Sequence, residues 1–98
     1  MKVAVVHTWT DDQAQKVMDF AKKVKEMAEA KKLPAGLELQ SISVAKGKNH
    51  AVCFWDVDSL DHLMQVAGSL GPTWQIEAFE VSDFFTKKKG FFKSTTPR

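Results

Sequence analysis

The order in which strand-like and helix-like runs follow one another constrains this chain more than any motif in it. Residues 2–9 alternate, with Val3, Val5, His7 and Trp9 on one face and Ala4, Val6 and Thr8 on the other. Both sets are largely apolar, as expected of a central strand covered on both sides. Thr10 then stands as an N-cap, Gln13 completes a capping box, and Asp11 and Asp12 suit the positive end of a helix dipole. Over about 11–32 the residues Ala14, Val17, Met18, Ala21, Val24 and Ala28 recur at three- and four-residue steps, an apolar stripe set among lysines and glutamates. Leu33-Pro34-Ala35-Gly36 stops that helix, since proline cannot continue it and glycine permits the turn.

The second half repeats the pattern. Leu37 to Ala45 reads as a more polar strand near an edge, and Lys46-Gly47-Lys48-Asn49 as a hairpin turn. His50 to Val57 follows as a strand, and Asp58 or Ser59 caps a helix over about 59–70 with Leu60, Leu63, Met64, Ala67 and Leu70 on its buried side. Gly71-Pro72 ends it, and Trp74 to Val81 forms the last strand. The segment from Ser82 to Lys89 reads as a short helix that Phe91-Phe92 would dock.

Right-handed crossovers in a split β-α-β order give an α+β, ferredoxin-like βαββαβ fold. Its antiparallel sheet order is 4-1-3-2, with both helices on one face. Apolar and aromatic side chains nevertheless occur on both parities of the first, third and fourth strands. The helix-free face should then need a partner, and a homodimer or higher homo-oligomer is expected.

Ninety-eight residues make one domain, and a domain of this size buries only about 60–70% of the surface its unfolded chain exposes. The natural division is a folded body at 1–86 and a basic C-terminal tail at 87–98, partly disordered. Five of the 14 basic residues lie in that tail, while the body holds nine basic and twelve acidic residues. A nucleic-acid binder spreads its basic residues over a folded face, so nucleic acid is not an expected partner. No apolar run approaches the roughly 20 residues of a membrane span, so no membrane association is expected. Cys53 is alone, which leaves no intrachain disulfide and no cysteine-based metal cluster, and a cytoplasmic location follows as the default.

Two residue patterns carry a likeness to a known group. One is the opening strand that ends in His7-Thr8-Trp9-Thr10. The other runs from Val52 to Leu63, a strand ending at Trp55, then an acidic cap and a helix. In order and pattern the chain resembles, over about 1–85, the dimeric α+β barrel superfamily, which includes antibiotic-biosynthesis-type monooxygenases. The resemblance implies two sheets packed into a barrel and a small-molecule pocket between sheet and helices. It also implies cofactor-independent oxygenation of a small apolar substrate. Haem-degrading members use an Asn late in the first strand, where this chain has His7. Their second-helix slot falls near Met64, and His62, two residues earlier, sits roughly 200° away around the helix. Haem degradation therefore does not carry over, and no cofactor is expected.

The candidate residues follow from chemistry and position. His7, interior to an apolar strand and titrating near neutrality, is either an acid–base group in a pocket or a buried histidine satisfied by its neighbours. Glu77 interrupts the last strand, so it either joins His7 in a pocket or lies at a polar edge. Trp9, Trp55 and Trp74, with Met64, are candidates to line a site for a flat apolar ligand, or else belong to the core or an interface. Cys53, centred in an apolar strand, reads as a small buried hydrophobe rather than a nucleophile. His50 and His62 lack the spacing of a helical metal site, so no metal is expected. The expected function is a homodimeric, small-molecule-binding α+β barrel, monooxygenase-like in activity. The alternative is a non-enzymatic assembly or regulatory module of the same fold.

Overall fold

The computed structural model describes residues 1–87. Strand β1 (Lys2–Thr8) leads through one 3-10 turn (Asp11–Gln13) into helix α1 (Ala14–Glu29). Strands β2 (Leu37–Val44) and β3 (His50–Val57) form a hairpin, followed by helix α2 (Leu60–Ser69) and strand β4 (Gln75–Glu80). The sheet is antiparallel in order β2-β3-β1-β4, which is the expected 4-1-3-2 order read from the other edge.

Local chemistry sets the boundaries. The Gln13 side chain accepts from the Thr10 N–H at 3.0 Å, and the Gln13 N–H bonds the Thr10 carbonyl, so the entry to α1 tightens into a 3-10 turn. The helix stops before Pro34 is reached. Lys31 adopts a φ of 57°, and the N–H groups of Lys31 and Lys32 return to the carbonyls of Ala28 and Met27. This is a Schellman cap built on lysine where glycine is usual. At α2 the Ser59 hydroxyl accepts from the His62 N–H at 3.1 Å, which makes Ser59 the cap.

The core lies between the sheet and the helices. Val3, Val5, Cys53, Trp55 and Val57 point there from β1 and β3, and Val24 and Leu63 come down from α1 and α2. Burying each large apolar side chain contributes about 1.5–3 kcal/mol, and Val3 is completely enclosed.

The expected dimeric barrel is overturned. Four strands form an open sheet whose two edges, β2 and β4, are unpaired, and the described residues close no barrel and give no sign of a dimer. A barrel filled by its own side chains takes about eight strands. Here β4 is only six residues long, and an irregularity between Leu39 and Ser41 breaks the register of β2. The apolar residues of the helix-free face are also partly satisfied within the chain. Ala4 stands between Phe54 and Phe79 in cross-strand register, and it is buried although no helix covers it. Val6, Val52 and Phe54 are half-buried on the same face.

Past β4 the expected short helix is absent as far as the described residues run. Ser82 to Lys87 is irregular, tied back to β1 by Lys2 Nζ on Asp83 at 2.8 Å. Phe91-Phe92 and most of the basic tail lie outside the described residues.

Candidate functional site

The alternation of β1 sends His7 to the helix side of the sheet, where it is the one buried polar or charged residue among those described. Burial costs a polar side chain several hydrogen bonds to water, so its partners define what it can do. Trp74, just before β4, donates its indole N–H to His7 Nδ1 at 3.0 Å. An indole nitrogen can only donate, so Nδ1 is the lone-pair nitrogen and the ring proton sits on Nε2. That Nε2–H points at Cys53 Sγ, 3.5 Å away. Sulfur is a weak acceptor, so this second bond is the weaker of the two.

Phe20 of α1 closes the group from above. Its ring meets Trp74 edge to face, with centroids 5.1 Å apart at 86°, and lies 6.3 Å from the imidazole. Nothing in this shell carries charge. Burial lowers the proton affinity of His7 below its ordinary value and pushes the Cys53 thiol up to about 11. Both shifts favour neutral partners, so His7 and Cys53 do not form the thiolate–imidazolium pair of a nucleophilic cysteine.

His7 and Cys53 face a cavity of about 60 Å³ between the sheet and the two helices. Its wall is otherwise hydrocarbon, indole, benzyl and thioether, contributed by all four strands or their ends and by both helices. Met18, Val44 and Met64 belong to this wall and are also 39%, 45% and 40% exposed, so the lining reaches the surface at these side chains.

The residues singled out in the sequence divide between two faces. His7, Trp9, Trp55 and Met64 all line the cavity. Trp74 does not line it, and touches the site through His7, so the three tryptophans do not make one aromatic wall. Glu77 is apart from them. It pairs with Val6 in register and is exposed on the helix-free face, whereas its neighbour Ile76 pairs with His7 and lines the cavity. Of the two readings of Glu77, a pocket shared with His7 or a polar edge, the structure shows the second, since one residue of strand alternation puts His7 and Glu77 on opposite sides of the sheet.

Two participants were missed. Phe20 lies three residues after Val17, so helical spacing already offered it. Cys53 was read only as filler, because its approach to His7 depends on the β1–β3 register, in which it faces Val5 and sits diagonal to His7. Elsewhere His62 Nδ1 bonds both oxygens of Asp58, at 2.9 and 3.1 Å, and this bond holds the Asp58 carboxyl below its usual range. Among the described residues no three His, Cys, Asp or Glu side chains gather as a metal ion would require, and no helix is long and apolar enough to cross a membrane.

No protein-family model, curated protein or solved structure matches this chain. The resemblance to the barrel superfamily thus finds no support beyond the shared ferredoxin-like order of elements. Any functional reading rests on the site's own geometry.

Proposed function

We propose that this protein binds a small apolar molecule between its sheet and its helices, with His7 as the polar contact. The observation that carries this reading is the cavity itself. It is walled almost entirely by apolar side chains, the imidazole of His7 is buried against it, and it opens at exposed methionines. Ligand sites commonly combine an apolar wall with very few placed polar groups. At about 60 Å³ the cavity is well below the ~300–1,000 Å³ of a typical ligand pocket. A larger guest needs the rim to yield, and unbranched, flexible methionines at positions 18 and 64 are suited to that.

Binding is favoured over acid–base or nucleophilic catalysis by the state of the two polar groups. The only lone pair on the imidazole is already taken by Trp74, and the thiol is kept protonated. Two measurements test the reading. Native mass spectrometry of gently purified protein should reveal a non-covalent small-molecule adduct that organic solvent releases. Cyclopentane added to apoprotein should shift the methyl resonances of Met18 and Met64. Methyl signals unmoved at saturating cyclopentane would refute the cavity as a binding site.

A further inference from the structure

We infer that the molecule held in this cavity carries a hydrogen-bond-accepting oxygen, a ketone or similar carbonyl on an otherwise apolar frame, received by the Nε2–H of His7. This rests on the cavity being a binding site and specifies the chemistry of its guest. No oxygen-bearing side chain contributes to the cavity wall among the described residues. The side-chain nitrogens in the wall belong to His7, Trp9 and Trp55, and the two indoles can only donate. The imidazole alone could accept, and the Trp74 indole N–H occupies the nitrogen that would do so. The wall therefore offers a guest almost wholly apolar surface, and its one defined polar contact is the His7 Nε2–H that meets the Cys53 sulfur. An ammonium or amide N–H placed there would lose its hydrogen bonds to water and gain almost nothing, and a hydroxyl would accept the one bond but leave its own proton unpaired, whereas a carbonyl oxygen gains a neutral hydrogen bond and leaves no donor behind.

Cys53 explains how the site tolerates a donor that meets no oxygen. Its sulfur holds the Nε2–H at 3.5 Å, so no buried nitrogen is left without a partner. A carbonyl oxygen is the stronger acceptor and displaces a weak bond only. A site built to bond a particular polar group discriminates against the analogue that lacks it, because the unpaired group is the costly outcome. Trp74, outside the wall, acts as a positioning residue. It fixes which ring nitrogen carries the proton and therefore the sign of the site.

The experiment compares cyclopentanone with cyclopentane, matched in ring size and differing in the oxygen, on wild type and on His7→Leu. Affinities come from chemical-shift titration of the Met18 and Met64 methyls. Cyclopentane measures what the new side chain does to the apolar wall itself, and each cyclopentanone affinity is read relative to it. Cyclopentanone should bind His7→Leu roughly 2- to 10-fold more weakly than wild type, the range of one net neutral hydrogen bond. In wild type it should also move the His7 Nε2–H resonance, a readout that needs no variant and survives if His7→Leu does not fold. Nitrogen shifts should place the proton on Nε2 before any ligand is added. Equal effects of His7→Leu on the two ligands, or a proton found on Nδ1, would overturn the carbonyl assignment and leave the cavity reading standing. Failure of both ligands to bind wild type would overturn both.

Discussion

Replacing Trp74 by phenylalanine isolates the bond on which the site's polarity depends. The substitution keeps an aromatic ring against Phe20 but removes the N–H that reaches His7 Nδ1 at 3.0 Å. Losing a neutral hydrogen bond costs ~0.5–1.5 kcal/mol net, and leaving a buried acceptor unpaired costs ~1–3 kcal/mol. His7 is only 6% exposed, so water cannot easily replace the indole on its side. Trp74 itself is half-buried, which lets some solvent in and places the expected loss toward the lower end. The smaller ring also removes packing, so the single variant does not isolate the bond. A double-mutant cycle with His7→Leu does, since in the double variant neither partner is left orphaned. Urea denaturation of the four proteins at neutral pH should give a coupling of about 1–2 kcal/mol, well above the ~0.3–0.5 kcal/mol scatter of independent sites. Additive losses within that scatter would show that the Trp74–His7 bond does not hold the imidazole. The tautomer argument would fall with it.

Three further outcomes can be checked on the same protein. Above pH 6.5 His7 is neutral whether folded or unfolded; as pH falls through that value the unfolded chain takes up a proton that the buried ring resists, so stability should drop until the lowered native pKa is reached. His7→Leu should remove this part of the pH profile, leaving the Asp58 and Asp83 contributions, which are present above the ordinary carboxylate pKa of 3.8 and lost as pH falls through their lowered native values. Cys53 should resist a thiol-disulfide reagent at pH 8 until urea unfolds the chain, and its share of stability should be full below pH 9.0 and decline as pH rises toward about 11. Gly36→Ala should destabilise by about 1–3 kcal/mol in thermal or urea melts, because Gly36 has a φ of 91° and an added methyl would meet the Asp58 carboxylate that His62 holds.

Much of the fold was legible because its signals are local. The alternation in β1, the stripe of α1, the Gly47 turn and the Ser59 cap each act over a few residues, and each element formed close to where its pattern lies. Lys31 shows the limit of such reading. A lysine gives no sign that it will adopt a left-handed conformation, so α1 was carried to about residue 32 when its cap had already formed. The barrel expectation failed for a non-local reason. Apolar residues on the second face of β1 suggested a covering sheet, but in register Ala4 is covered by the phenylalanines on either side of it. For Ala4 the side chains of neighbouring strands provide the cover that a second layer was expected to give.

The candidate site divides along the same line. His7 stood out because a polar ring in an apolar strand is visible in one chain segment, and the parity of β1 was enough to place Trp9 beside it. Its partners could not be found in that way, since Trp74 lies 67 residues away and Cys53 lies 46. Only the pairing of β1 with both β3 and β4 brings one donor and one weak acceptor to the two nitrogens of the same ring. Had Glu77 faced inward instead, a carboxylate would have accepted from the imidazole and favoured its charged form, and the cavity would suit a cation or an acid–base reaction. With the indole on one nitrogen and sulfur on the other, the ring stays neutral and offers a single, loosely held proton. That difference follows from the parity of one residue in a six-residue strand, and it separates the proposed site for a neutral molecule from a catalytic dyad.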